Sequence, residues 1–110
     1  MFTLITTVRK NPDVSTEDFR EFMELVYGPI YAELPQIQEY IHYYVSDRTL
    51  GLENQQIDAI VRISFQSREE MHDALQSGSY KQAQEMRRRY MGSTPTGIHS
   101  VVVEKTVKFV

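Results

Sequence analysis

Apolar positions along this chain follow two rhythms, one of period two and one of spacings three and four, and their succession lays out the fold. Phe2 to Lys10 is rich in β-branched and aromatic residues and reads as a strand, ended by the turn residues Asn11-Pro12-Asp13. Ser15 is then a good N-cap, with Asp18 in the capping-box position and Glu17 adding charge to the first turn. Phe19, Phe22, Met23, Val26 and Ile30 recur at helical spacing and form one apolar face. Gly28-Pro29 falls inside that pattern. A proline there removes a backbone donor and crowds the preceding turn, which predicts a kink or restart near Tyr27.

Pro35 stops the helix after Leu34, and Gln38 to Val45, dense in Tyr, Ile and Val, is the second strand. Ser46 to Gln55 is a loop long enough to be mobile. From Ile57 to Phe65 the chain alternates, with Ile57, Ala59, Val61, Ile63 and Phe65 on one face and Asp58, Ile60, Arg62 and Ser64 on the other. Ser67 caps a further helix carrying Met71, Ala74 and Leu75 on its apolar side. Ser77-Gly78-Ser79 interrupts it, and Tyr80, Ala83, Met86 (or Arg87) and Tyr90 carry a second segment. After a loop from Gly92 to Gly97, Ser100 to Val110 reads as the closing strand.

The order β-α-β-β-α-β, with helices joining strands one to two and three to four, gives a ferredoxin-like α+β sandwich when the crossovers are right-handed. A four-stranded antiparallel sheet then carries both helices on one face. The other face bears apolar residues from strands one and four, so a partner sheet is expected over it, most simply a second copy of the chain.

Composition narrows the chemistry. The chain has 110 residues, a length that predicts one domain over 1–110, and its 12 basic and 15 acidic side chains give a net charge of -3, a poor basis for nucleic-acid binding. No apolar run approaches the roughly 18 residues of a membrane span. The N-terminal MFTLITTV meets its first positive charge only at Arg9, unlike a signal peptide, so a soluble cytoplasmic protein is expected. There is no cysteine, which removes disulfides, thiolate nucleophiles and zinc–thiolate sites. The three histidines show neither i,i+4 pairing nor HExxH, so no metal and no cofactor is expected. Nucleotide-binding and GxSxG hydrolase motifs are lacking too. Seven tyrosines and five phenylalanines remain as the notable resource.

Phe19-Arg20, then Tyr27-Gly28-Pro29-Ile30, Leu34-Pro35 and Tyr40, with Ile57-Asp58-Ala59-Ile60 and Phe65-Gln66-Ser67 further on, resemble the signature of the ethyl tert-butyl ether degradation (EthD-like) family. The resemblance covers nearly the whole chain and implies a dimeric α+β barrel with a pocket between sheet and helices. Around Gln56 to Ser67 it is most similar to methylmuconolactone methylisomerase. Two positions depart: Tyr27 stands where the family has a helix-one histidine, and Ile63 where the methylisomerase has a cysteine. The resemblance therefore implies the scaffold, while catalysis falls to phenols and one histidine.

On that scaffold the candidate catalytic residues are Tyr27, Tyr40 and His42. A phenol, with a reference pKa near 10, donates a hydrogen bond to a developing oxyanion. Tyr40, His42 and Tyr44 share one strand face, and an imidazole between phenols suits proton transfer at neutral pH. Phe19, Phe22, Met23, Tyr44, Ile63, Met71 and Leu75 are expected as substrate-binding walls. Tyr31, Tyr43, Tyr80 and Tyr90 are assigned to packing or the dimer surface. His72 and His99 are expected at the surface, Asp58 and Arg62 as an ion pair on the polar face of strand three, and Arg87-Arg88-Arg89 as solvated charge complementing a helix dipole. The expected function is a cofactor-independent isomerase, cyclase, dehydratase or decarboxylase of an aromatic, lactone or polyketide-derived small molecule. The alternatives are a cofactor-free monooxygenase of a phenol and a non-catalytic ligand-binding dimer.

Overall fold

The computed structural model describes residues 1–45, 57–92 and 98–110, so the expected loops at 46–55 and 93–97 lie outside the described residues. Its strands are β1 (Phe2–Val8), β2 (Ile37–Tyr44), β3 (Ala59–Phe65) and β4 (Ile98–Val102). The first crossover is one helical path made of α1 (Thr16–Phe22), a π-helical turn (Met23–Tyr27) and α2 (Gly28–Ala32). The second consists of α3 (Arg68–Leu75) and α4 (Gly78–Tyr90). The sheet order is β2-β3-β1-β4 with all neighbours antiparallel, the ferredoxin-like α+β arrangement that the element order predicts. No helix among the described residues is long and apolar enough to cross a membrane.

Local chemistry starts α1 and α3 where the sequence places them, and Ser77, read there as part of an interruption, caps α4. Ser15, Ser67 and Ser77 are extended N-caps whose hydroxyls accept from the backbone N–H of Asp18, Glu70 and Tyr80 at 3.0, 3.2 and 3.1 Å. Phe19, Phe22 and Met23 then bury against the alternating set Ala59, Val61, Ile63 and Phe65 of β3. Each large side chain so buried contributes about 1.5–3 kcal/mol of transfer free energy. The end of α4 is tied to β1: Asn11 Nδ2 donates to the carbonyls of Arg88 and Arg89 at 3.0 and 2.9 Å, and Gly92 N–H to the Arg9 carbonyl at 2.9 Å. Orphan carbonyls at a helix C-terminus are thereby satisfied by a residue that the sequence marks only as a turn former.

Two expectations are corrected. The closing strand ends at Val102, not Val110, and its last backbone tie is Val103 N–H to the Thr3 carbonyl at 2.9 Å. The pairing with β1 sets Val102 opposite Leu4, and the residues beyond Val103 do not continue the sheet. Arg62 does not pair with Asp58: its Nε reaches Glu39 Oε1 on β2 at 2.6 Å, while Asp58 Oδ2 accepts the backbone N–H of Lys10 at 2.9 Å. Residues four apart on one strand share a face but stand about 13 Å from each other, too far for an ion pair.

Candidate functional site

Between the sheet and the helices lies a cavity of about 230 Å³. Leu4, Thr6 and Val8 of β1, Tyr40 of β2, Val61, Ile63 and Phe65 of β3 and Ser100 of β4 form its floor. Tyr27 and Tyr31 from the first helical path, and Met71, Leu75, Tyr80, Arg87 and Met91 from the second crossover, close it. The alternation of each strand decides which residues reach it, since every second side chain points to the helices. Its walls are predominantly apolar, and its polar groups are phenols, two hydroxyls and one guanidinium, the pattern of a small-molecule site.

The phenols form a contiguous group. Tyr27 Oη donates to Tyr31 Oη at 3.0 Å, a pairing that follows from their i,i+4 spacing. The Tyr31 ring stacks on Tyr40 with centroids 5.4 Å apart and meets Tyr80 edge-on at 6.0 Å. Burial pushes the Tyr31 hydroxyl well above the ordinary phenol range, and the neighbouring phenols Tyr27, Tyr80 and Tyr40 push the same way. Tyr40 is likewise raised, first by burial and then by Tyr27 and Tyr44. These two phenols therefore stay protonated: they serve as donors, not bases. The Tyr40 hydroxyl is buried and makes no hydrogen bond to another protein group among the described residues.

The π-helical turn positions Tyr27 and shapes what lies beside it. Gly28 N–H bonds to the Met23 carbonyl, five residues back, and the wider turn accommodates Pro29, which has no N–H and would crowd an ordinary α-turn. The kink expected near Tyr27 takes this form. A Cβ at Gly28 would lie 2.7 Å from the Met23 carbonyl oxygen and 3.4 Å from His42 Cε1, so glycine is required by close approach.

On the far side of Tyr40 a broader groove of about 580 Å³ is lined by Met23, Glu24, Gly28, Pro29, Ala32, Glu33, Tyr40, His42 and Tyr44. The His42 ring meets Tyr40 edge-on at 4.7 Å, and its Nδ1 is 3.3 Å from Tyr44 Oη. Arg20 stands over the Tyr44 ring at 5.4 Å. Burial lowers the His42 pKa below its ordinary 6.5, partly offset by Glu24. A lowered folded pKa means that the unfolded chain takes up the proton first. The stabilisation is then complete above about 6.5 and is lost as pH falls from there towards the folded value. Thermal denaturation of the wild type between pH 7.5 and 5.5 is expected to show this loss, and His42→Gln to lack that part of it. Parallel pH dependences of the two proteins would remove the assignment.

The structure thus brings Tyr27, Tyr40, Ile63, Met71 and Leu75 to one cavity. It separates the other candidates from it. Phe19 is fully buried in the core, and Phe22 stacks on Tyr90 with centroids 4.1 Å apart, beside a recess shared with Val26 and Met86. Met23, His42 and Tyr44 line the groove instead, where the first helical path meets β2: Arg20 stands over Tyr44 and Gly28 lies against His42. Tyr31 and Tyr80, expected to pack, line the cavity, as does Arg87, expected to be solvated. The spacing of Tyr31 from Tyr27 and of Arg87 from Tyr80 carried the signal, since positions four and seven residues on return to the same helix face. Tyr43 is exposed on the open face, and His72 and His99 are exposed as expected.

Solved structures share the fold across nearly the full chain. An EthD-family protein of Bacillus halodurans superposes with a TM-score of 0.75 at 13% identity, covering 96% of this chain and 99% of its own. A dimeric ferredoxin-like protein of Jannaschia gives 0.69 at 16%, covering 94% and 98%. SnoaB, a cofactor-independent oxygenase of Streptomyces nogalater, gives 0.65 at 9%, covering 97% and 92%. No curated protein matches by sequence. The EthD domain pattern itself matches residues 11–92, from the turn after β1 to the end of α4, and the chain accordingly belongs to the EthD family.

Proposed function

We propose that the chain is a cofactor-independent small-molecule enzyme that stabilises an enolate- or phenolate-type oxyanion in the phenol-lined cavity. The observation that carries this reading is Tyr40: its hydroxyl is buried, held protonated and without a protein partner among the described residues, and the residue lines the apolar cavity. When an aromatic, lactone or polyketide-derived substrate isomerises, cyclises, dehydrates or decarboxylates next to a carbonyl, charge gathers on one oxygen. A fixed donor in a water-poor site stabilises that charge more than it stabilises the neutral ground state. Tyr31, itself raised and in contact with Tyr40, is the second donor, and Tyr27 sets the Tyr31 hydroxyl through their shared hydrogen bond. His42, neutral and edge-on to Tyr40 from the groove, acts as a positioning residue.

The fold likeness to SnoaB favours a second reading, a cofactor-free oxygenase, in which the same donors stabilise the anion of a phenolic substrate that then reacts with oxygen. One probe separates the two. With 2-tetralone in buffered deuterated water the buffer base takes the α-proton and solvent returns a deuteron; this exchange, followed by NMR, is expected to accelerate equally in air and under nitrogen if oxyanion stabilisation alone is the activity. Oxygen uptake with a phenolic ketone supports the oxygenase. Absence of any acceleration of exchange sinks both.

The reading includes a homodimer. On the open sheet face Ile41, Arg62, Ile5 and Val101 form one row and Tyr43, Ile60 and Thr7 the next, with Tyr43 50% and Val101 62% exposed. Val107 and Phe109, beyond the strand, are exposed too. A second copy covers such a surface by the same apolar contacts, as the dimeric Jannaschia protein suggests. Val101→Asp is expected to weaken self-association about tenfold, because an interfacial carboxylate without a partner is desolvated at a cost. Light scattering after size exclusion checks it, and an unchanged mass across a dilution series would place the interface elsewhere.

A further inference from the structure

Arg87 is the feature of the cavity that the reading above leaves unused. It is the sole charged residue lining it among the described residues, and no carboxylate shares the walls. It lies at the same face of α4 as Tyr80, one helical double turn on. The Asn11 contacts to the carbonyls of Arg88 and Arg89 hold that end of the helix in place. Glu85 pairs with Arg88, not with Arg87, at 3.7 Å, and no ion pair of Arg87 exists among the described residues. Arg87 is partly buried, so its guanidinium is available at the edge of an apolar cavity to pair with an anion. Its charge is felt inside the cavity: it opposes the rise that burial imposes on the Tyr80 phenol.

We infer that Arg87 anchors the carboxylate of an acidic aromatic or alicyclic substrate, fixing it at the α4 end of the cavity while the reacting carbonyl faces Tyr40. The guanidinium presents two parallel N–H donors, which match the two oxygens of a carboxylate and not a single neutral carbonyl. The rings of Tyr80, Tyr31 and Tyr40 adjoin in that order and line the cavity together with Arg87, so a planar ligand held by the cation lies beside them. A cavity of about 230 Å³ is at the small end of ligand sites, which favours a compact ring system. The inference rests on the proposed small-molecule site and names its substrate class.

Benzoate and benzamide are the probes, equal in shape and different in charge, with binding to the full chain measured by titration calorimetry at pH 8. The wild type is expected to prefer benzoate by about tenfold or more, in line with a charge-assisted pair. Arg87→Met, which keeps the aliphatic stem, is expected to abolish that preference while changing benzamide affinity by less than about twofold. Arg87→Lys restores part of the preference as a point charge without the fork. Circular dichroism reports whether each variant is folded. Should Arg87→Met not fold, the Arg87→Lys affinities and the wild-type preference decide the matter. Equal wild-type affinity for the two probes, or an unchanged preference in Arg87→Met, overturns the anchoring role while leaving the phenol site standing. Failure of both probes to bind the wild type overturns the site reading and this inference with it.

Discussion

Tyr40→Phe is expected to slow α-proton exchange of 2-tetralone by about 10²-fold, the usual cost of removing one oxyanion donor. The substitution deletes only the hydroxyl. The ring stacked on Tyr31 and edge-on to His42 remains, so the cavity keeps its shape. Because the hydroxyl has no protein partner among the described residues, its loss breaks no internal hydrogen bond, and stability should shift by less than about 1 kcal/mol. Rate and stability are thus expected to part company. A loss in kcat with KM nearly unchanged is the signature of a contact made in the transition state. A variant that exchanges protons as fast as the wild type would remove Tyr40 from the chemistry. Since burial raises the Tyr40 pKa well above the ordinary phenol range, the wild-type rate should show no alkaline fall near pH 10 from this residue.

Gly28→Ala is expected to cost about 2–3 kcal/mol in urea denaturation, towards the upper end of what overpacking by one methyl does. The new Cβ would stand 2.7 Å from the Met23 carbonyl oxygen, which is backbone and is held in the π-helical turn. Relief requires the turn to tighten or the helix to shift. Tightening restores the clash that Pro29 would make in an α-turn, and shifting moves both Tyr27 and the surface against His42. Gly78→Ala is the control. Gly78 opens α4, nothing lies within 4 Å of its Cβ position, and alanine there should be neutral or stabilising by under about 1 kcal/mol. Similar losses in the two variants would mean that glycine itself, and not the close approach at position 28, is what the chain requires.

The dimer, pH and anion-anchoring expectations read different parts of the same architecture. The open face tests assembly, His42 tests the groove and Arg87 tests the cavity's charge. Because Tyr40 borders both cavity and groove, a change at His42 that alters exchange kinetics would act through the Tyr40 ring.

Read from residues alone, the chain already determined its four strands and two crossovers, the caps Ser15 and Ser67 and the helix-facing set on β3, because periodicity and capping are local properties. It also determined that cysteine chemistry is absent, while the placing of Tyr27 and Tyr40 beside one pocket came from the family resemblance. Pairing and closure were decided by tertiary structure. β4 stops at Val102, opposite Leu4 of β1, and no pattern within VVVEKTVKFV contains that information, because the length of a strand is set by its pairing with a neighbour. Arg62 meets Glu39 across strands, since distance along a strand separates residues that parity puts on one face. Likewise His42 and Tyr44 share the Tyr40 face, as alternation requires, yet they line the groove and not the cavity, because what covers each position of that face is set by packing and not by parity. Tyr31, Tyr80 and Arg87 acquired their place only when two crossovers, distant in sequence, closed over the same strands. Periodicity gives the face a side chain points from, and packing alone gives what it points at.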